Sequence, residues 1–580
     1  MKFHKISGVL AFMGVLVATS GCKDFYNVNV SPLAPTKAEL YSLLPVTQVA
    51  MGTALGDSPS GMSQYTMALM QQLANSRNIG TFQQNGDAFS GEWSSLYSDM
   101  LINNQQIITQ GTAEQSWTYV GIAQLQRAFV FSQMVDLWGN IPYSQALQGA
   151  TIGTPRFDND VDIYNGATGI QSLFALIDEG IANLAKSTPA ANPGTADLIY
   201  TGNRDKWAHF GRSLKLKLYN QIRKSQNVSA NVTALLAAPN DLLQSDGDFE
   251  LKYGASITPD NRNPGFIADY VNPGRENHIN PNFYLSMYGG RYRRTPTPTA
   301  TVPDTITRIF DPRIPYYFYN QVTGYKQSNP DGYRGVQPDT DTSPKVQGQD
   351  YALGNFATVR FGSTGTAAST NNSDKITLPG LYPVGGRYDD GLGGVAGVTN
   401  TTVAGKGVVA QRLHTYFSRK YTEAELQLTV LNNNAAATAA FQEALNASFA
   451  KVNNIAAADG SPVMSAARIS EYTNAALAAF NKAGATMDDK LEVLMYEKYV
   501  ASFGYGVDMY TDFRRTFHPR IKVPGNADPT RGVLDDNDPI TASTGVFPRR
   551  LYYPINDLLV NPNGPQVQHT SPTDLIFWDR

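Results

Sequence analysis

Ala128-Phe129-Val130-Phe131-Ser132-Gln133-Met134-Val135-Asp136-Leu137-Trp138-Gly139-Asn140-Ile141-Pro142-Tyr143-Ser144-Gln145-Ala146 is the stretch whose reading decides the fold. Its first half closes a run, Tyr119–Leu137, in which apolar residues recur at the spacing of a helix face. Outward from it, the same periodicity returns at Met62–Leu73, Trp93–Ile108, Ile170–Leu184 and Trp207–Ile222. Near the start, Thr36 reads as an N-cap with Glu39 as its capping-box partner, opening a helix that carries Leu40, Leu43, Leu44 and Thr47. Residues 37–250 therefore read as mainly helical, in antiparallel pairs joined by short connections.

The middle of the chain differs. Residues 251–412 are dense in Pro, Gly, Asn, Asp and Tyr, a punctuation that interrupts helices and favours loops with short strands. Loops of this length in a compact protein tend to carry function, and their aromatic content argues against disorder. Helix returns at Thr422–Leu431, Ala435–Val452, Ser465–Ala483 and Asp488–Tyr510, in pairs of tetratricopeptide-like size, so that 413–512 forms a second helical part. Residues 513–580 are a Pro-rich, irregular tail. The alternating ten-residue segments of a transmembrane β-barrel are missing.

The N-terminus carries Lys2 and Lys5, then the apolar run Ile6–Ala18, then Thr19-Ser20-Gly21-Cys22. A basic start, a short apolar core and small residues make residues 1–21 a secretory signal peptide, and the run is too short to span a bilayer. Cys22 is the only cysteine of the 580 residues and stands where a lipobox places one, although Thr19 occupies a position where Leu is preferred. Cys22 is accordingly the expected lipidation site, carrying acyl chains, palmitate among them, and residues 22–36 a flexible tether. Removing residues 1–21 takes the net charge from −3 to −5, with no basic excess that would suit nucleic acid. No disulfide framework can form.

The catalytic motifs are absent. The six histidines are scattered without HExxH spacing, and no GxSxG, Walker A or GxGxxG occurs. Among the 49 acidic residues nothing singles out a glycosidase pair. Asp158-Asn159-Asp160-Val161-Asp162 begins like a calcium loop, but Ile163 and Gly169 stand where Gly and Glu are needed; an irregular calcium site is the most it allows, and no cofactor is expected. Asp535-Asp536-Asn537-Asp538 reads as a solvated loop.

Aromatic loops are more informative, because the C–H face of a sugar lies flat on Tyr or Trp while its hydroxyls bond to Asn, Asp, Gln and Arg. Two stretches offer that mixture and supply the ligand-binding candidates: Arg77, Asn78, Phe82 and Phe89 in one, and Tyr284, Tyr288, Arg291 and Tyr292 in the other. The competing reading packs these tyrosines onto the helical scaffold. Arg514-Arg515 and Arg549-Arg550 read as structural pairs that bond loop carbonyls.

Four stretches together resemble the SusD/RagB family of nutrient-binding outer-membrane lipoproteins of the Bacteroidota, in its SusD-like branch. They are Cys22-Lys23-Asp24-Phe25 with Asn27-Val28-Asn29-Val30-Ser31-Pro32; the opening stretch through Pro155-Arg156-Phe157-Asp158 and Ile163-Tyr164; Lys206-Trp207-Ala208 with Gly211-Arg212-Ser213-Leu214-Lys215-Leu216; and Glu497-Lys498-Tyr499 through Asp512-Phe513-Arg514-Arg515 to Pro548-Arg549-Arg550-Leu551-Tyr552-Tyr553-Pro554. The resemblance implies a mainly α fold, in which tetratricopeptide-like helix pairs scaffold a large loop-rich, minor-β ligand-binding region within one domain, 37–580. It implies capture of an oligosaccharide, or of a peptide, without chemistry on it. It further implies delivery to a SusC-like TonB-dependent transporter, and a lipid-anchored place on the outer membrane facing the cell surface. A surface glycoside hydrolase and a purely structural surface protein are the readings from other classes. Asp136, Trp138 and Arg515 belong to the matched motifs and read as fold determinants.

Overall fold

The computed structural model describes residues 38–57, 61–74, 86–271, 277–288, 291–293, 308–319, 377–389, 405–522, 534–535, 547–568 and 574–579. The signal peptide, Cys22, the tether and Thr36 lie outside the described residues. The chain is mainly helical. Helix α1 (Leu40–Leu55) begins with Glu39 at the N-cap and no side-chain cap, so the expected helix start at Thr36 moves three residues along the chain. Helix α2 (Met62–Leu69) is buried along its whole length. The short α-helical segment Ser90–Ser94 and the π-helix Ser95–Leu101 lead into α3 (Ile102–Ala113).

Helix α4 (Trp117–Trp138) is the axis of the fold. It is apolar on nearly every face and is buried from Thr118 to Trp138 except at Arg127, as befits a helix surrounded by others. α3 packs on α4, α4 on α5 (Leu173–Ala185), and α5 on α6 (Arg204–Ile222). α6 then packs on α7 (Tyr416–Thr429), so the helical row continues across almost two hundred residues of sequence. α8 (Asn434–Asp459), α9 (Ala466–Phe480) and α10 (Met487–Ala501) follow as sequential neighbours, and α11 (Gly506–Thr516) returns to pack on α2. Local signals start these helices: Asn203 caps α6 by accepting from Lys206 N at 3.0 Å, and Thr415–Ser418 and Thr486–Asp489 form capping boxes on α7 and α10. Each such cap contributes about 1 kcal/mol.

Strands are short and come in pairs. β1 (Leu73–Ala74) pairs with β5 (His278–Ile279), β2 (Ile141–Pro142) with β3 (Phe157–Asp158), and β4 (Phe249–Leu251) with β10 (Gln411–His414). β6 (Tyr292–Arg293) pairs with β7 (Arg308–Ile309), and β8 (Phe318–Tyr319) with β9 (Leu378–Pro379). The β4–β10 ladder opposes Leu251 to Gln411 in antiparallel register. It therefore holds the two ends of the loop-rich segment side by side, like the neck of a bag, and hands the chain back to α7.

One expected helix is broken. The periodicity over Asp488–Tyr510 predicts a single element, but α10 stops at Ala501 and α11 starts at Gly506. Gly504 sits at φ 97°, a conformation other residues rarely adopt, and a Cβ there would collide with the Arg412 guanidinium. Arg412 meanwhile donates to Phe503 O at 3.0 Å and Tyr382 O at 3.1 Å. A tertiary contact thus overrides the local period.

Candidate ligand-binding site

The opening stretch is the anchor from which the rest is positioned. Asp136 Oδ1 accepts from Tyr164 OH at 2.7 Å and from Trp578 Nε1 at 3.0 Å, tying the C-terminal tail to α4. Burial pushes the Asp136 carboxyl up to about 6, against the pull of Tyr164, Lys217, Arg514 and Trp578. Trp138 Nε1 donates to Tyr552 O at 3.1 Å, and Gly139, at φ 78°, leaves room for the Arg550 guanidinium, which donates to Trp138 O. Arg514 bonds Asp136 O and Arg549 O, while Arg515 pairs with Glu425 and Asp512. Asp136, Trp138 and the Arg pairs are thus fold determinants. The calcium-like stretch also spends its carboxylates on protein donors, Asp158 on Ser144 and Arg156, and Asp160 on Phe577 N. Among the described residues no cluster of three or more His, Cys, Asp or Glu is arranged to hold a metal.

The described residues that flank segments 75–85 and 320–376 converge. Asn280 N donates to Gln72 O at 3.0 Å, β5 touches β9, and Gly380 N donates to Tyr317 O at 2.7 Å. Segments 75–85 and 320–376 therefore start from one platform. Its floor is aromatic: Phe283 lies 5.4 Å from Phe318 and 5.5 Å from Tyr499, and Tyr317 stacks on Tyr382 at 4.8 Å.

Of the eight ligand candidates, Arg77, Asn78 and Phe82 lie outside the described residues, as does the side chain of Tyr288, which closes the helix Pro281–Tyr288. The other four are buried. Phe89 meets Tyr65 edge-on at 4.8 Å and Trp138 at 6.2 Å. Tyr284 packs on Phe318 at 5.1 Å. Arg291 pairs with Glu492 at 2.9 Å and lies over the Tyr496 ring. Tyr292 donates to Glu497 Oε1 at 2.8 Å, and Glu497 also takes Tyr472 and the buried Arg313. Burial raises the Glu497 carboxyl even though Arg313 opposes it. In this conformation these four side chains pin loop roots to the helices and present no free face to a ligand. Composition does not record the direction in which each of these side chains points.

An open groove of about 870 Å³ lies elsewhere, between the Ser90–Ile102 face, the Pro142–Pro155 turn and the helix α12 (Ile555–Val560). Ile555 N donates to Gly86 O at 2.7 Å, and Asn561 Nδ2 to Pro155 O at 2.8 Å, so these hydrogen bonds fix α12 against both neighbours. Trp93 and Tyr97 form one wall, 5.1 Å apart, and Trp93 is backed by Trp138 at 5.3 Å. The Tyr97 hydroxyl donates to Pro142 O at 2.6 Å, which holds the ring in place. Two polar atoms of this groove, Ser90 Oγ and Asp557 Oδ2, are buried without a hydrogen-bond partner. Desolvation raises the Asp557 carboxyl. Sequence reading missed this groove. Its available signal is a serine stripe, Ser90, Ser94 and Ser98, beside an aromatic stripe, Trp93 and Tyr97.

A family model described as SusD-like, "Starch-binding associating with outer membrane", matches residues 32–554. The chain belongs to the SusD-like family. No curated protein matches it. Solved structures share its fold: a SusD/RagB family protein from Bacteroides thetaiotaomicron VPI-5482 is similar at 20% identity and TM-score 0.63, over 94% of this chain and 99% of that one. A Bacteroidetes SusD-like protein gives 16%, 0.64, 94% and 100% on the same measures. A chitin-binding SusD homolog from Flavobacterium johnsoniae gives 16%, 0.57, 93% and 98%. The expected mainly α SusD-like fold is thereby shown, and SusD-like proteins are binding proteins associated with the outer membrane. Among the described residues no helix is long and apolar enough to cross a membrane.

Proposed function

We propose that this protein is a lipid-anchored outer-membrane lipoprotein that captures an oligosaccharide and delivers it to a SusC-like TonB-dependent transporter. The family match over residues 32–554 carries the reading. Two fold neighbours described as chitin-binding favour a glycan over a peptide. The half-buried Tyr97 of the groove, with exposed Ser94, Ser98 and Asn556 beside it, also suits a ring with apolar faces and hydroxyl edges. Cys22 supplies the anchor, and residues 23–36 the tether between it and the helical scaffold. Glycan-array and calorimetric binding to protein lacking residues 1–22 tests the capture step. Oligosaccharide binding without product release is expected; binding confined to peptides would move the protein to the peptide class, and released product would make it a hydrolase. Replacing Cys22 with Ala is expected to release the protein from the envelope with binding intact.

A further inference from the structure

A cavity of about 280 Å³ lies at the β4–β10 neck, between the end of β4, the segment 405–410 that leads into β10, and the C-terminal half of α8. Its frame is fixed by the protein alone: Gly407 N donates to Gly385 O at 3.0 Å, and Asn263 donates from its backbone N to Gly407 O at 2.7 Å and from Nδ2 to Val409 O at 3.0 Å. Four cations line it, and Lys451 is matched by Asp248 at 2.8 Å and Glu250 at 2.7 Å. Among the described residues no carboxylate lies within ion-pair distance of Lys252, Lys406 or Arg412. Lys252 and Lys406 are exposed, so water offsets their charge, but Arg412 is only 3% exposed. Its guanidinium lies over the Tyr382 ring and donates to the carbonyls of Tyr382, Pro383 and Phe503, which satisfy N–H groups and leave the charge without a counter-ion. Asp57 feels this guanidinium, yet burial keeps its carboxyl up at about 7. A buried cation without a counter-charge is costly, and an anion in the cavity would offset it. Tyr253 also lines the cavity, and its hydroxyl has no hydrogen-bond partner among the described residues. Burial pushes that hydroxyl further up, so it stays a donor.

We propose that this cavity binds a small organic carboxylate with a compact apolar body, its oxygens taken by Lys252, Lys406 and the Tyr253 hydroxyl beside the Arg412 charge. The body lies against Val409, Ala410 and Ile455, which supply an apolar wall. Asp459 ends α8, and the carbonyl end of that helix adds to its negative charge, so the carboxylate is favoured at the lysines and not there. At about 30 Å³ for each water, the volume equals roughly nine waters and admits a molecule the size of benzoate. The inference does not rest on the glycan reading and stands if that reading fails.

Calorimetry of the full chain in detergent, titrated with benzoate, hexanoate, benzamide and sulfate, tests it. At least one of the two carboxylates is expected to bind. Benzamide keeps the body and lacks the charge, sulfate keeps the charge and lacks the body, and each is expected to bind about tenfold more weakly or worse. The double variant Lys252→Gln/Lys406→Gln is expected to weaken the carboxylate by about tenfold or more, whereas Lys252→Arg/Lys406→Arg, which keeps both charges, should stay within about threefold of wild type. Both lysines are exposed, so both variants should keep the wild-type unfolding midpoint. Equal affinity for benzamide or for sulfate, unchanged affinity in the Gln variant, or no binding of either carboxylate overturns the proposal.

Discussion

Around Glu425 the scaffold buries a carboxylate and matches both of its oxygens, whereas beside the α12 groove Ser90 Oγ and Asp557 Oδ2 are left unmatched. Glu425 Oε1 meets Arg223 at 2.8 Å and also Arg515, while Oε2 takes Arg515 at 3.0 Å and Asn220 at 2.8 Å. Burial acts to raise the Glu425 carboxyl, but Arg223 and Arg515 outweigh it and hold it well below the usual range. Ser90 Oγ and Asp557 Oδ2 have no such partners. The difference separates two uses of buried polarity. The Glu425 seam joins α6, α7 and α11 across a long insertion, so its partners come from the protein itself. Beside the groove the two atoms stay without a protein partner, as does Asp57 Oδ1 inside the scaffold.

Breaking the matched seam should have the largest effect. Glu425→Ala leaves Arg223 uncompensated and Arg515 with Asp512 alone, and is expected to destabilise by about 3–5 kcal/mol in guanidinium unfolding. A shift below 1 kcal/mol would show that the seam is not what joins the helical row. An orphan sealed inside the scaffold should behave differently again. Asp57 Oδ1 is buried and unpartnered, and desolvation lifts its carboxyl to about 7 despite the nearby Arg412.

The native state therefore keeps the Asp57 proton over a range in which the unfolded chain, near 3.8, has lost it. This contribution is full below about pH 4 and is lost as pH rises through 7. Over roughly three pH units at about 1.4 kcal/mol each, it amounts to at most about 4 kcal/mol. Asp57→Asn should flatten the fall in urea midpoint between pH 5 and pH 8; parallel curves for variant and wild type would refute the assignment. The smallest effect belongs to the groove. Ser90→Ala should change stability by no more than about 0.5 kcal/mol, or raise it, because no protein hydrogen bond is lost. A loss above 1 kcal/mol would mean that this hydroxyl has an internal partner and that the contrast with Glu425 is false.

Much of the scaffold was legible in the spacing of apolar residues. The runs Tyr119–Leu137, Ile170–Leu184 and Trp207–Ile222 correspond to α4, α5 and α6 with ends moved by a few residues. The compositional change at 251 and 412 falls on the β4–β10 ladder, because a strand pair is where such a segment can leave and rejoin the scaffold. The candidate site was less legible. Tyr284, Arg291 and Tyr292 lie in a segment of sugar-binding composition, yet Phe318, Glu492 and Glu497, from elements far along the chain, draw them inward. The groove escaped notice because its two halves, near Ser90 and near Asp557, lie more than four hundred residues apart in the sequence.

By itself, the sequence determined where most helices run and which family the motif stretches resemble. Those are properties of local period and composition, which act through neighbours a few residues away. Tertiary structure alone decided which distant polar atoms find partners: Asp136 meets Trp578 and Glu425 meets Arg515, while Ser90 Oγ and Asp557 Oδ2 stay without one. Pairing between distant segments is settled by close packing, and no local spacing of residues records it.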